Sequence, residues 1–155
     1  MKTVVCQSVS PGVTQAYAEK LIHELTGGGS MLLEGNLGSG KTTFVQGIGR
    51  ALHIEQSITS PTFTLMSVYE TQHPIIKQLV HLDLYRINNV QDTHILDITT
   101  LLKQAGVLVI VEWPERAAEL WEQFQGNLLG TIQFSLGHST SDRSLTISGS
   151  IVGYF

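Results

Sequence analysis

The sequence predicts an α/β fold, a sandwich in which helices flank a mostly parallel central sheet, with a C-terminal antiparallel hairpin. Three observations support this prediction. Apolar runs of strand length alternate with helical patterns in the middle of the chain. A glycine-rich segment joins an early apolar run to a helical pattern, and apolar and polar residues alternate near the end of the sequence. With 155 residues the chain is long enough for one ordinary core, so we expect a single domain over residues 1–155.

The first helix is predicted directly after Ser10, which is a typical N-cap residue and is followed by Pro11, a residue favoured in the first helical turn. Four apolar residues then recur at helical spacing: Val13, Tyr17, Leu21 and Leu25. Three consecutive glycines at 27–29 are expected to end this helix.

The glycine-rich segment follows the apolar run 31–33 and consists of Gly35, Asn36, Leu37, Gly38, Ser39, Gly40, Lys41 and Thr42. It fits G-x-x-x-x-G-K-[ST], the P-loop motif, whose glycines let backbone N–H groups approach phosphate oxygens at the start of a helix. Lys41 should reach the β- and γ-phosphates, and the Thr42 hydroxyl should bind Mg²⁺. The motif therefore predicts a P-loop NTPase-like fold and nucleotide binding.

The helix after the P-loop is predicted by the apolar stripe of Phe44, Ile48 and Leu52. Three later apolar runs predict strands at 64–69, 78–84 and 107–112. Two groups of apolar residues predict the helices that alternate with the last two strands: Ile95, Ile98, Leu101 and Leu102, then Ala117, Leu120, Trp121 and Phe124.

The C-terminal hairpin is predicted by two alternating segments on either side of the turn-rich stretch 137–142. The alternating apolar residues are Ile132, Phe134 and Leu136 before the turn, and Leu145 and Ile147 after it. Because helical patterns alternate with the strands at 78–84 and 107–112, the rest of the sheet is expected to be mostly parallel.

A P-loop site also needs an acidic residue at the carboxyl end of a neighbouring strand, to hold Mg²⁺ or its water. Two predicted strands supply one, at Asp83 and at Glu112. One division of labour gives Asp83 to the metal and Glu112 to the attacking water, and the opposite division is chemically possible. Either acid could instead cap the next turn or pair with Arg86 or Arg116.

The segment Ser-Pro-Thr-Phe-Thr at 60–64 lies between the P-loop helix and the next strand, where many phosphate-sensing P-loop proteins keep a mobile loop. Thr62 could contact Mg²⁺ or the γ-phosphate, so that the loop becomes ordered only with a triphosphate. Alternatively, the segment is an ordinary turn in which Thr62 caps a backbone group. His81, which interrupts the apolar run before Asp83, is expected to be a satisfied core or sheet residue.

Composition excludes several classes of protein. The formal net charge is −4 and no basic run is present, so the chain lacks the electrostatic pattern of a self-sufficient nucleic-acid binder. Cys6 is the only cysteine, which excludes an internal disulfide and a cysteine-built zinc site. No N-terminal apolar leader region and no apolar segment of roughly 20 residues occurs, so we expect a cytoplasmic protein without a membrane partner.

Four separated segments carry a family resemblance: the P-loop with Thr43 and Phe44 behind it, SPTFTL at 60–65, HLDLYR at 81–86, and EWPE at 112–115. In order, spacing and total length the chain resembles the bacterial TsaE ATPases, formerly called YjeE. The resemblance implies an ATPase that uses ATP and Mg²⁺ in the threonylcarbamoyladenosine pathway, which modifies the adenosine beside the anticodon of tRNA. It also implies TsaD and TsaB as partners, with tRNA reached indirectly through their complex.

The resemblance implies roles for individual residues. Lys41, Thr42 and Thr43 correspond to phosphate and Mg²⁺ groups, Thr62 to a switch-like loop, and Asp83 and Glu112 to functional acids. Three more residues match the motifs, and for them a role in packing or partner docking is as compatible with the sequence as a role in catalysis: Tyr85, Arg86 and Trp113. The chain departs from the family pattern at Asn36, Ser39 and the segment 92–99, where the family usually carries Asp, Ala and more glutamate.

Three other functions have features in common with this sequence. Compact P-loop kinases for small molecules have a similar length, but this chain has no clustered arginines that would form their lid. A guanine-specific switch protein would need an N-K-x-D element, and no asparagine here is followed by lysine. A third possibility is a nucleotide-gated assembly factor whose hydrolysis is incidental.

Overall fold

The computed structural model describes residues 2–88, 96–123 and 127–155. Within these residues one sheet has seven strands: β1 (Thr3–Ser8), β2 (Gly29–Gly35), β3 (Met66–Glu70), β4 (Gln78–Asp83), β5 (Val107–Glu112), β6 (Leu128–Leu136) and β7 (Arg143–Gly149). The described helices are α1 (Pro11–Glu24), α2 (Lys41–Ala51), α3 (Leu96–Leu101) and α4 (Ala118–Gln123), with 3-10 turns at Pro114–Ala117 and Ser150–Tyr154. The α/β class is therefore confirmed.

The sheet is mixed, which corrects the expectation of a mostly parallel one. Its order is β1-β7-β6-β2-β5-β4-β3, and only the four central strands β6, β2, β5 and β4 are mutually parallel. The C-terminal hairpin of β6 and β7 is confirmed, but two further pairs are antiparallel, β1 with β7 and β3 with β4. The connection 71–77 between β3 and β4 is too short for a crossover helix, so these two strands can only form a hairpin.

The start of α1 agrees with the sequence. Ser10 is the N-cap, its side-chain oxygen accepts from the Val13 N–H at 3.3 Å, and Pro11 is the first helical residue. The buried face is rotated from the expected stripe, because Val13 and Tyr17 are half-buried while the buried residues are Thr14, Ala18, Leu21 and Ile22. Packing against α2 decides this rotation, which apolar spacing alone did not show.

Some predicted boundaries were wrong. The strand expected from residue 64 begins at Met66, because the Leu65 N–H donates to the Pro61 carbonyl and Leu65 has φ 65° in a turn. β4 ends at Asp83, one residue early, and Ala117 lies in a 3-10 turn rather than in α4. β5 has the predicted bounds. The predicted helix residues Ile95 and Phe124, and residues 92–95 of the departing segment 92–99, lie outside the described residues.

Two hydrophobic clusters cover the two faces of the sheet, because successive strand residues point to opposite sides. Residues of α1 and α2 share one cluster with Met31 and Leu33 of β2. Residues of α3 and α4 share the other with Leu32, between them in the same strand. The sheet is thus covered by helices on both faces, and α2, the helix that follows the P-loop, lies on the face that carries α1.

Close packing of α1 on α2 requires glycine at position 47. A Cβ on Gly47 would lie 2.5 Å from the Gln15 carbonyl oxygen, 2.7 Å from the Gln15 Cα and 2.9 Å from the Ala18 Cβ. The first two atoms are backbone and cannot move aside without shifting the helix. This contact fixes the helix that carries Lys41 and Thr42.

Gly47→Ala is therefore expected to lower the free energy of unfolding by about 1–3 kcal/mol through overpacking. Gly12→Ala in α1 is the matched control, because its Cβ would meet only Ser10 Oγ at 3.8 Å. Urea denaturation followed by circular dichroism measures both. Equal stability of the two variants would contradict the packing argument.

Candidate functional site

A cleft of about 500 Å³ opens at the carboxyl ends of the central strands. The strand register sets its floor, since Leu33 in β2 pairs with Glu112 in β5, and Glu112 pairs with Asp83 in β4. The cleft is also lined by residues from the P-loop, the loop at 60–62, the start of α1 and the hairpin: Leu37, Gly38, Ser39, Gly40, Lys41, Thr42, Thr43, Ser60, Thr62, Ser10, Thr14 and Arg143 among them. The structure thus brings the predicted P-loop and both acids to one place.

The P-loop makes its turn between β2 and α2, and its glycines are required there. Gly40, the residue before α2, has φ 106°. A Cβ on Gly35, which has φ 140°, would lie 2.6 Å from the Phe134 carbonyl oxygen and 2.8 Å from Ser39 Oγ. Asn36 and Leu37 at the tip are exposed, as is Gly38. The backbone therefore turns around an open concave space, where N–H groups can meet an anion.

Lys41 is buried beneath the P-loop. Its Nζ donates to the carbonyl oxygens of Gly35 at 2.6 Å and Asn36 at 3.0 Å, and it lies 4.1 Å from the centroid of the Trp113 ring. Burial lowers the pKa of Lys41 below its usual value, against the opposing effect of nearby carboxylates, first of all Glu112. A phosphate anion bound in the cleft would compensate for this loss of hydration.

Glu112 is the acid that touches the P-loop helix. Its Oε1 accepts a hydrogen bond from Thr42 Oγ1 at 2.9 Å and lies 2.9 Å from His81 Nε2. Both Glu112 and His81 are buried. The carboxylate at the end of β5 is thus joined to the residue that the motif assigns to Mg²⁺.

Asp83 instead holds the loop at 60–64. Its Oδ2 accepts from Thr62 Oγ1 at 2.7 Å and from Ser60 Oγ, while its Oδ1 accepts from the Tyr85 N–H at 3.0 Å. The sequence left open whether Asp83 caps the next turn or serves the site. In the structure the carboxylate caps the turn through the Tyr85 N–H, and it also contacts a loop that lines the cleft. The Thr62 hydroxyl meets a side chain, not the backbone group of the alternative interpretation.

The arginines do not neutralise these acids. Arg86 lies over the Phe63 ring at 4.3 Å, and Arg116 lies 6.0 Å from the Tyr85 ring. Within the described part of the chain, neither arginine forms an ion pair with Asp83 or Glu112. The described residues therefore do not show the alternative arrangement, in which Asp83 and Glu112 only form ion pairs with Arg86 or Arg116.

The donor set fits Mg²⁺. The Thr42 hydroxyl and the Glu112 carboxylate are neighbouring hard oxygen donors, and Mg²⁺ prefers one or two carboxylates with substrate phosphates and water. No cluster of three or more His, Cys, Asp and Glu side chains that could hold a metal occurs among the described residues. Two protein donors would leave the remaining positions of the ion to phosphate oxygens and water.

Comparison with known proteins identifies the family. The family model for threonylcarbamoyl adenosine biosynthesis protein TsaE matches residues 8–145. This chain belongs to the TsaE family. The family is of the P-loop ATPase type and takes part in tRNA threonylcarbamoyladenosine biosynthesis, which confirms the resemblance found in the sequence.

Individual TsaE proteins and a solved structure are also similar to this chain. The chain is 41% identical to the Synechocystis sp. protein over 71% of this chain and 69% of that one. It is 44% identical to the Nostoc sp. protein over 59% and 56%, so the chain spans little more than half of that relative. The Streptomyces coelicolor protein is 32% identical over 84% and 86%. A crystal structure of YdiB from Bacillus subtilis superposes with a TM-score of 0.67 at 26% identity, covering 96% of this chain and 86% of that one.

Sequence reasoning missed several residues of the site of this TsaE family member. Trp113, matched only as a motif residue, lies against Lys41 and packs against Tyr85 in a tilted arrangement with ring centroids 5.0 Å apart. Arg143 donates to the Gly38 carbonyl at 3.0 Å, and no sequence signal connects two residues so far apart. Ser60 and His81 were noted in the sequence, but as a turn residue and a core residue and not as parts of the site.

No described helix has the length and apolar character to cross a membrane.

Lys41→Met tests whether the buried charge of Lys41 serves nucleotide binding rather than the stability of the fold. Because burial disfavours its charge, the variant is expected to keep the free energy of unfolding of the nucleotide-free protein within about 1 kcal/mol of wild type, or to raise it, while losing nucleotide binding. Thermal unfolding and fluorescent-nucleotide titration measure the two effects. Lys103→Met, at an exposed lysine, should change neither. A loss of stability above about 2 kcal/mol would show that Lys41 supports the fold.

Proposed function

We propose that this chain is a Mg²⁺-dependent ATPase that drives a conformational cycle of the TsaB–TsaD complex during threonylcarbamoyladenosine modification of tRNA. One observation carries the proposal: the two strand-end acids contact two different parts of the site. Glu112 is hydrogen-bonded to Thr42 at the start of the P-loop helix, and Asp83 is hydrogen-bonded to Ser60 and Thr62 of the adjacent loop. Such an arrangement can couple nucleotide state to loop position.

ATP would bind with its phosphates against the P-loop N–H groups and with Lys41 beside the β- and γ-phosphates. Thr42 and Glu112 would hold Mg²⁺, because their oxygen atoms already lie together. When bound, the ion neutralises charge on the β- and γ-phosphates. We therefore assign the metal side of the site to Glu112 and the control of the loop to Asp83, a choice that the sequence left open.

The loop would respond to the γ-phosphate through Thr62. In the present structure the Thr62 hydroxyl is bound to Asp83, so contact with a triphosphate requires it to exchange partners. The loop also carries Phe63, whose side chain is 83% exposed. A change of the Thr62 contact would move this apolar side chain, so that the surface offered to a partner differs between ATP and ADP.

The role of partners rests on chemistry and on the names of the relatives. Relatives are named as tRNA threonylcarbamoyladenosine biosynthesis proteins, while this chain has a net charge of −4, so tRNA is expected to be reached through TsaB and TsaD rather than directly. Arg86 contacts the Phe63 ring and Arg116 lies near the Tyr85 ring, and we expect slow turnover without a partner. An arginine supplied by a partner could raise the rate by roughly 10³–10⁵.

The central experiment is a measurement of phosphate release from ATP with Mg²⁺ and with EDTA. The protein is tested alone and then with TsaB, TsaD and tRNA. We expect low basal hydrolysis, stimulation by the assembled partners, and loss of both in Lys41→Ala. Hydrolysis that ignores the partners would count against the cycle. Transfer of phosphate to a small molecule instead of water would support the alternative of a small-molecule kinase.

Glu112→Ala is expected to lower the partner-stimulated rate about 100-fold or more, while the affinity for ATP without Mg²⁺ changes less than about tenfold. The reason is that Glu112 acts on the metal side of the site, whereas Lys41 and the P-loop backbone bind the phosphates. Single-turnover hydrolysis and nucleotide titration separate these effects. Equal losses of binding and hydrolysis would overturn the assignment.

Thr62→Val tests the loop. The variant keeps the shape of the side chain but removes the hydroxyl that Asp83 binds, so the partner complex should bind its ATP and ADP forms with nearly equal affinity. Thr64→Val in the same loop is the control and should preserve the wild-type difference. Biolayer interferometry with immobilised TsaB–TsaD measures all three proteins. Wild-type protein that binds equally well in both nucleotide states would itself refute the proposed cycle.

A further inference from the structure

His81 is a buried polar residue in the middle of an otherwise apolar strand. Its side chain has no exposed surface, and its neighbours in β4, Val80 and Leu82, belong to the hydrophobic cluster of α3 and α4. Alternation along β4 therefore turns His81 to the opposite face, together with Leu79 and Asp83. That face carries α2, so His81 points to the same side of the sheet as Thr42.

The imidazole meets the acid of the adjacent strand. His81 pairs in register with Ile110 of β5, and its Nε2 reaches diagonally to Glu112 Oε1 at 2.9 Å. The same Oε1 accepts from Thr42 Oγ1 at 2.9 Å. One carboxylate oxygen is thus held between a donor from the sheet and a donor from the P-loop helix, which restrains the position of the Glu112 carboxylate.

The other ring nitrogen identifies the tautomer. His81 Nδ1 is buried and has no hydrogen-bond partner among the residues described. A proton on Nδ1 would be an unsatisfied buried donor, whereas a neutral ring with its proton on Nε2 donates to Glu112 and leaves only a bare acceptor at Nδ1. The geometry therefore favours the Nε2–H tautomer, with His81 as donor and the Glu112 carboxylate as acceptor.

We propose that His81 is a positioning residue for Glu112: its Nε2–H holds the carboxylate beside Thr42 in the orientation that hydrolysis requires. An apolar residue at position 81 would suit the core without leaving Nδ1 unsatisfied, so the histidine is explained by what it does to Glu112. His81 does not touch nucleotide in this assignment. The inference rests on the proposed ATPase function and adds a residue to its site.

Two substitutions separate positioning from packing. His81→Phe fills the space but cannot donate, whereas the amide nitrogen of His81→Gln lies near the position of Nε2 and can donate to Glu112. We expect the phenylalanine variant to lower the partner-stimulated kcat about tenfold or more with KM for ATP changed less than about threefold, and the glutamine variant to recover most of kcat. Equal kcat for both variants would overturn the proposal. If the phenylalanine variant does not fold, His81→Asn replaces it, because the shorter amide cannot reach Oε1.

A double-mutant cycle supplies a readout that a merely structural residue would not give. In the Glu112→Ala background, His81→Phe should cause no further loss of kcat, because the group that it positions is already absent. Independent losses that multiply would show that His81 acts elsewhere, and would contradict the inference. Circular dichroism melting of all four proteins shows whether each is folded at the assay temperature.

Nuclear magnetic resonance of the nucleotide-free wild type tests the hydrogen bond without any activity measurement. With ¹⁵N-labelled histidine, His81 should give the Nε2–H tautomer pattern and a slowly exchanging ring proton that shifts upfield or disappears in Glu112→Ala. A ring protonated on Nδ1 would refute the proposal. Wild type without Lys41-dependent hydrolysis would refute the proposed function alone, while active wild type with unchanged kcat in His81→Phe would refute only the role of His81.

Discussion

The parallel register of β2, β5 and β4 is the constraint on which the site depends. Because these strands run in the same direction, their carboxyl ends meet at one edge, with Asp83 directly beside Glu112 and with the P-loop leaving β2 next to them. A shift of β4 or β5 by one residue would turn the carboxylate of that strand to the opposite face of the sheet. The apolar residues that fill the two clusters hold this register, so the core of the protein also sets the geometry of its cleft.

The site concentrates buried polar groups that an ordinary core would not contain. Lys41, His81, Asp83 and Glu112 are all at most 4% exposed, and each is tied to neighbours by hydrogen bonds. Burial lowers the pKa of Lys41, against the opposing effect of the nearby carboxylates. The nucleotide-free protein thus keeps a cation in a poorly solvated position, where a phosphate is the natural ligand.

The outer strands extend the site beyond the central sheet. The hairpin of β6 and β7 is attached to β2 through β6, and it carries Arg143 to the Gly38 carbonyl of the P-loop. The antiparallel pair of β3 and β4 places the loop at 60–64 directly before the edge strand, within reach of Asp83. The mixed topology therefore matters, because both antiparallel additions deliver groups to the cleft.

The sequence by itself determined the α/β class, the P-loop, the two strand-end acids and the family. Each is written in a short run of residues or in a regular period: G-x-x-x-x-G-K-[ST], an apolar strand that ends in an acid, or a helix with an N-cap at Ser10. The strand β5 was predicted at its observed bounds because a short, unbroken apolar run is typical of a strand buried on both faces of a parallel sheet. The strand β1 was missed, since its apolar residues are half exposed at an edge.

Only the tertiary structure decided which acid meets Thr42, why a histidine interrupts β4, and that Trp113 and Arg143 belong to the site. These contacts join residues that are distant along the chain, and they depend on strand register, on side-chain direction and on the packing of α2. Sequence patterns record what a residue needs locally, such as burial or a turn. They do not record which of several chemically suitable partners the fold brings within hydrogen-bonding distance.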